Sequence, residues 1–140
     1  MFHPASKFLV ADDYDLVRFM IKEILLSLGA GEVCEASNGE EAWTLISRSL
    51  TEGKPFDIVF IDWNMPVIDG IALLDLCKSE PKLENMLKIM ITAESEKAFI
   101  IKALTSGADE YIIKPVSSKN LKEKISSIIS KKRQIKDHGR

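Results

Sequence analysis

Cysteine and histidine are scarce in this chain of 140 residues, at two each, and the scarcity closes off several chemistries. Cys34 and Cys77 have no CxxC spacing, so a disulfide framework is not expected and a reducing compartment fits. His3 and His138 lie near the two ends, and no His or Cys falls close enough to the acidic positions to argue for zinc. No apolar run approaches the ~18 residues of a membrane span, so no membrane insertion is expected. The opening stretch, Met1-Phe2-His3-Pro4-Ala5-Ser6-Lys7, has no apolar core long enough for a signal peptide. A cytoplasmic location is therefore the expectation. A large excess of either charge is missing too: the net of −2 gives no global case for nucleic acid as a direct partner.

The distribution of charge is less even than its total. Residues 131–140 carry five basic side chains and one acid, which leaves −6 for residues 1–130. The organisation expected is an N-terminal extension (1–6), one folded domain (7–130) and a basic C-terminal tail (131–140), the last a frayed helix end or disordered. A hydrophobic share of 46% and a charged share of 29% suit a globular domain with a real core.

Within that domain four apolar runs each stop at a polar residue. Phe8-Leu9-Val10-Ala11 ends at Asp12-Asp13, Ile58-Val59-Phe60-Ile61 at Asp62, Ile89-Met90-Ile91 at Thr92, and Tyr111-Ile112-Ile113 at Lys114. Short apolar runs of this kind read as parallel strands buried on both faces. Glu32 to Ala36 alternates as a further, edge-like strand. Helical spacing fills the gaps. Val17, Met20, Ile21, Ile24, Leu25 and Leu28 make one helix, with Gly29 as a left-handed stop. Asn38 caps a second, with Glu40 and Glu41 where the helix dipole favours anions. The turn Met65-Pro66 to Asp69-Gly70 opens a third, from about Ile71 to Lys78. Ser95 is the expected cap of a fourth, with an apolar face of Ala98, Ile101, Ala103 and Leu104 and a stop at Gly107. Ser117 or Ser118 opens a fifth, with Leu121, Ile125, Ile128 and Ile129. Five β-α units predict an α/β, flavodoxin-like doubly wound fold: a five-stranded parallel sheet of order 2-1-3-4-5 with five helices.

In such sheets ligands bind beyond the carboxyl ends of the strands, so three carboxylates, a hydroxyl and an ammonium are predicted to meet at one rim. Carboxylates with ordinary pKa values near ~3.9 are all charged at neutral pH. Each pair held ~4 Å apart at an effective dielectric near 20 repels by roughly 4 kcal/mol. Protons or a cation must relieve this, and an all-oxygen site that expects a phosphate ligand fits Mg²⁺. An aspartate can accept a phosphoryl group as an acyl phosphate, and Asp62 is the candidate. Thr92 and Lys114 can donate to the phosphoryl oxygens. Taken singly, each residue has a plainer reading: Asp12 and Asp13 as turn and cap, Thr92 and Tyr111 as strand packing, Lys114 as a solvated loop lysine.

The ordered set Asp12-Asp13, Asp62-Trp63-Asn64-Met65-Pro66, Asp69-Gly70, Thr92-Ala93-Glu94, Gly107-Ala108 and Lys114-Pro115 resembles the signature of response-regulator receiver domains. The resemblance covers residues 7 to about 130 and is strongest to the family's stand-alone chemotaxis regulators. It implies that a histidine kinase phosphorylates Asp62, with Mg²⁺ held by Asp13, Asp62 and the backbone carbonyl of Asn64, and with Asp12 acting mostly through water. It implies further that Thr92 and Lys114 contact the phosphoryl group and that the Lys114-Pro115 bond is cis. By the same resemblance Tyr111 is an aromatic switch that turns inward as Thr92 shifts, while Asn64 and Glu94 set the lifetime of the aspartyl phosphate. The implied output is partner binding on the face of helix four, strand five and helix five. A flagellar motor switch component is the implied partner, and the protein itself is expected to be mostly monomeric. Beyond its own phosphorylation and dephosphorylation no enzyme activity is expected.

Two positions depart from the pattern. Val116 stands where an aromatic is frequent, and the acidic Glu96 stands where basic residues open helix four. Another output or phosphorelay partner is accordingly the alternative. An Mg²⁺-dependent phosphatase with an Asp nucleophile is a further one, though Asn64 occupies the position where such enzymes carry a second Asp. A flavin carrier on the same fold would need a phosphate loop that Ala11-Asp12-Asp13-Tyr14 does not provide.

Overall fold

The strands form where the residues alternate between two hydrophobic layers. Leu9, Ala11, Val59, Ile61 and Met90 face one layer, while Phe8, Val10, Ile58, Phe60, Ile89 and Ile91 face the other. A strand exposes successive side chains to opposite faces, so a run that is apolar at every position demands cover on both sides. The computed structural model describes residues 2–138, with side chains through residue 131. It supplies that cover with helices on either side of a parallel sheet.

The elements alternate strictly: β1 (Lys7–Ala11), α1 (Asp15–Ser27), β2 (Glu32–Ala36), α2 (Gly39–Thr51), β3 (Ile58–Ile61), α3 (Gly70–Lys78), β4 (Leu87–Thr92), α4 (Lys97–Thr105), β5 (Glu110–Ile113) and α5 (Ser118–His138). A single 3-10 turn at Pro81–Leu83 leads into β4. The sheet order is β2-β1-β3-β4-β5, all parallel, as the five β-α units predict. Helices α2, α3 and α4 contribute to one layer through Ile46, Leu73, Leu74 and Ala103. Helices α1 and α5 contribute to the other through Ile21, Leu25, Leu121 and Ile125. The side chains of the basic stretch from Lys132 onward, and residues 139–140 altogether, lie outside the described residues.

Local chemistry sets most helix ends. The Asn38 side chain accepts from the Glu41 N–H at 2.8 Å, the Asp69 side chain from Ala72 N–H at 2.8 Å, and Ser117 Oγ from Asn120 N–H at 3.0 Å. Each satisfies an amide that the first helical turn leaves unpaired. Gly29 and Gly107 adopt φ of 96° and 113°, the left-handed region where glycine escapes the Cβ clash.

Helix α4 departs from expectation. It starts at Lys97, its N-cap is Glu96 with no side-chain cap bond, and Ser95 plays no capping role. Its buried residue is Ala103, with Ile100 packed against the core, whereas Ile101 is 53% exposed, Leu104 46% exposed and Ala98 exposed. Spacing alone does not say which side of a short apolar helix meets the sheet. Met20 of α1 is likewise turned outward, at 37% exposure.

Candidate functional site

Register brings the strand-end residues together. Ala11 pairs with Ile61 across β1 and β3, so Asp12 and Asp62 leave neighbouring strands at the same level. The Asp62 N–H donates to Ala11 O at 2.9 Å and the Asp12 N–H to Ala36 O at 3.1 Å. Thr92 closes β4 opposite Ile113. The Lys114 N–H donates to Thr92 O at 2.9 Å, and the Lys114-Pro115 bond is cis. Carboxylate oxygens of Asp12, Asp13 and Asp62 lie within 4.8 Å of one another, the first and last buried and Asp13 exposed. The ammonium of Lys114 donates to Asp12 at 2.8 Å and to Asp62 at 3.2 Å. All five strand-end groups therefore converge on one rim.

Asp62 is only 5% exposed. Burial, with the neighbouring Asp12 charge adding to it, pushes its carboxyl above the ordinary 3.8, and Lys114 and the Thr92 hydroxyl offset part of the rise. Burial alone would lower the Lys114 ammonium, but its hydrogen bond to Asp12 and the Asp62 charge outweigh this and raise it. The rim thus holds more negative charge than its environment solvates. Oxygen-only donors on a half-buried rim suit a hard divalent cation, so the residues present fit the metal that the sequence implies.

The flanking loops are tied to this centre. Asn64 Nδ2 donates to Glu94 Oε1 at 3.2 Å, joining the loop after β3 to the loop after β4. Tyr111 is 7% exposed and its hydroxyl donates to the Glu94 carbonyl at 2.6 Å. Trp63 meets Phe99 of α4 edge-on, with ring centroids 5.0 Å apart. Beside them Val67 holds φ of 71°, and the Ile68 N–H closes back on Pro66 O at 2.9 Å. That three-residue turn is strained for a β-branched side chain.

A family model described as the response regulator receiver domain matches residues 8–126. The chain belongs to the response-regulator receiver family. The CheY homolog of Campylobacter jejuni is 41% identical to this receiver over 123 residues, 88% of this chain and 92% of that protein. Chemotaxis protein CheY-3 of Vibrio cholerae is 35% identical over 125 residues, 89% of this chain and 92% of the relative. Among solved structures, a chain of the CheX-CheY-BeF3-Mg²⁺ complex from Borrelia burgdorferi superposes with a TM-score of 0.81 at 27% identity, covering 89% of each chain. This receiver is thus CheY-like, with chemotaxis proteins among its relatives, and receivers of this kind are signalling regulators rather than enzymes in the ordinary sense. No helix among the described residues is long and apolar enough to cross a membrane.

Two contributors to the receiver's rim escape the sequence pattern. A Cβ on Gly70 would come within 2.4 Å of the Asp62 carbonyl oxygen, so only glycine lets α3 begin against the backbone of Asp62. The sequence marks Asp69-Gly70 as turn chemistry and as one motif of the receiver signature, without stating what the glycine is for. Arg18 is the other: its Nη1 donates to the Asp12 carbonyl at 2.7 Å. An arginine in a helix facing outward reads from sequence as solvated.

Proposed function

We propose that this receiver is a phosphorylation-controlled binding module in the cytoplasm, with Asp62 accepting a phosphoryl group from the phosphohistidine of a histidine kinase. The observation that carries the reading is the Asp62 carboxylate itself. It is buried, crowded by Asp12 and Asp13, and met by the Lys114 ammonium at 3.2 Å. In the transfer an Asp62 oxygen bonds to phosphorus as the phosphorus–nitrogen bond of the donor breaks. Lys114 and Thr92 stand where they can donate to the phosphoryl oxygens, which carry the developing charge. Asp12, Asp13, Asp62 and the Asn64 carbonyl would hold Mg²⁺, which when bound supplies positive charge beside those oxygens. Hydrolysis returns inorganic phosphate and the free carboxylate, and Asn64 and Glu94, joined by a hydrogen bond, would govern access of the attacking water.

Phosphorylation adds roughly −1.5 to −2 charge at the rim. A donor engaged by the new phosphoryl group leaves its present partner, so Thr92 and Lys114 carry the change into the loops after β4 and β5. Tyr111, bound to the Glu94 carbonyl, links that movement to β5. The face made by α4, β5 and α5 presents Ile101, Leu104 and Ile113, each more than 40% exposed, and apolar exposure of this kind supports a protein partner. Chemotaxis proteins among the relatives favour a flagellar motor switch component as that partner. Incubation with acetyl phosphate and Mg²⁺ should add one phosphate to the native chain, mapped by mass spectrometry to Asp62, and none to Asp62→Asn. Labelling retained in that variant would remove Asp62 from the role.

A further inference from the structure

Every polar group of Asp12 already has a protein partner, each carboxylate oxygen keeping a further lone pair for a cation. Its N–H donates to Ala36 O at 3.1 Å, Oδ1 accepts from the Tyr14 N–H at 2.9 Å, and Oδ2 accepts from Lys114 at 2.8 Å. The remaining group is the carbonyl, which belongs to the peptide plane leading into Asp13. That oxygen accepts from Arg18 Nη1 at 2.7 Å. Nη2 of the same guanidinium is engaged by Asp15, and Nε lies 3.5 Å from Glu35 Oε1 on β2 without a hydrogen-bond acceptor of its own. The Arg18 side chain is 14% exposed. A planar guanidinium with two of its ends anchored, one on the loop and one on α1, fixes the tilt of the peptide between Asp12 and Asp13.

Asp13 is the exposed member of the three carboxylates, so its own side chain has the least packing to orient it. We infer that Arg18 is a positioning residue for the divalent cation: by holding the Asp12–Asp13 peptide plane it presents the Asp13 carboxylate to the rim. This rests on the reading of the rim as a cation site. Two effects of Arg18 on a cation have opposite signs, which makes the inference testable. Its charge repels Mg²⁺, partly masked by Asp15 and Glu35. Its hydrogen bond orders a ligand, and groups that orient metal ligands are typically worth ~10–100-fold in affinity. The inference requires positioning to outweigh repulsion.

The test is titration calorimetry of the full chain with MgCl₂ for the native protein, Arg18→Gln and Arg18→Lys, with melting temperatures measured alongside. The inference predicts that Arg18→Gln binds Mg²⁺ about tenfold more weakly while melting close to the native protein. It predicts a loss in Arg18→Lys too, because a single ammonium keeps the charge but cannot bridge two acceptors as a fork. Should Arg18→Gln unfold, Arg18→Lys alone decides. Native-like or tighter Mg²⁺ binding in the folded variants overturns the inference and leaves the cation site standing. No Mg²⁺ binding by the native protein overturns both.

Discussion

The strands of this receiver end in different chemistry at their two ends. At the amino ends, Phe2 packs on Phe8 with ring centroids 4.7 Å apart, and a cavity of about 470 Å³ is lined by these rings with Ile58, Leu87 and Ile129. Carboxylates occur there as well, but they are exposed and each serves the backbone: Asp57 accepts the Lys7 N–H at 2.9 Å and Asp109 the Lys88 N–H at 2.8 Å. At the carboxyl ends Asp12 and Asp62 are buried beside each other, and Lys114 is the one described ammonium within salt-bridge reach of either. One end spends its acids on starting strands; the other buries Asp62 beside Asp12, which raises the energy of the ionised Asp62 carboxylate. Burial beside a like charge is what sets Asp62 apart from the exposed Asp57 and Asp109.

Substitutions at the two ends should therefore separate stability from cation binding. The largest effect is expected at the amino end. Phe8→Ala removes a side chain 1% exposed and should cost ~3–5 kcal/mol in urea unfolding, while the Mg²⁺ affinity of the folded protein stays within about twofold of native. A matching loss of Mg²⁺ binding would show that the ends are not independent. Next in size, Lys114→Ala leaves Asp12 and Asp62 facing each other without their ammonium. The metal-free fold should lose about 1–3 kcal/mol, and added Mg²⁺ should restore more stability to this variant than to the native chain. Its phosphorylation should no longer change partner affinity; an unchanged response would take Lys114 out of the relay.

Asp62→Asn should act in the opposite direction and more weakly. A carboxyl whose folded pKa lies above its unfolded one destabilises the fold once ionised. For Asp62 this penalty is absent below pH 3.8, the unfolded value, grows as pH rises and is complete above the raised folded pKa. The variant should melt a few degrees higher, ~2–6 °C, than the native protein at pH 7 without metal. The gap should close as pH falls toward 3.8. A variant that melts lower at pH 7 would mean that Asp62 contributes more through Lys114 than burial takes away.

The comparison also explains what the sequence made legible. A parallel strand buried on both faces must be apolar at every position, so the residue that ends each run is conspicuous, and sheet order puts those residues side by side. Asp12, Asp13, Asp62, Thr92 and Lys114 were readable for that reason. Helix α4 was not: Ile101 and Leu104 have the spacing of a core stripe, yet a nine-residue helix buries only what the neighbouring strands reach. Arg18, and the purpose of the glycine in the Asp69-Gly70 motif, were hidden for a different reason. Their roles lie in backbone atoms of other residues, the Asp12 and Asp62 carbonyls, and no side-chain pattern encodes a partner of that kind.

Thermal unfolding against Mg²⁺ concentration is the decisive measurement, because a cation that relieves crowded carboxylates must stabilise the fold that crowds them. The melting temperature of the native chain should climb steadily with the logarithm of Mg²⁺, reaching about 2.7 kcal/mol of stabilisation at a hundredfold excess over Kd. The same titration should leave an Asp13→Asn, Asp62→Asn double variant unmoved. A native melting temperature indifferent to Mg²⁺, or an equal rise in the double variant, would mean that these carboxylates do not form a cation site.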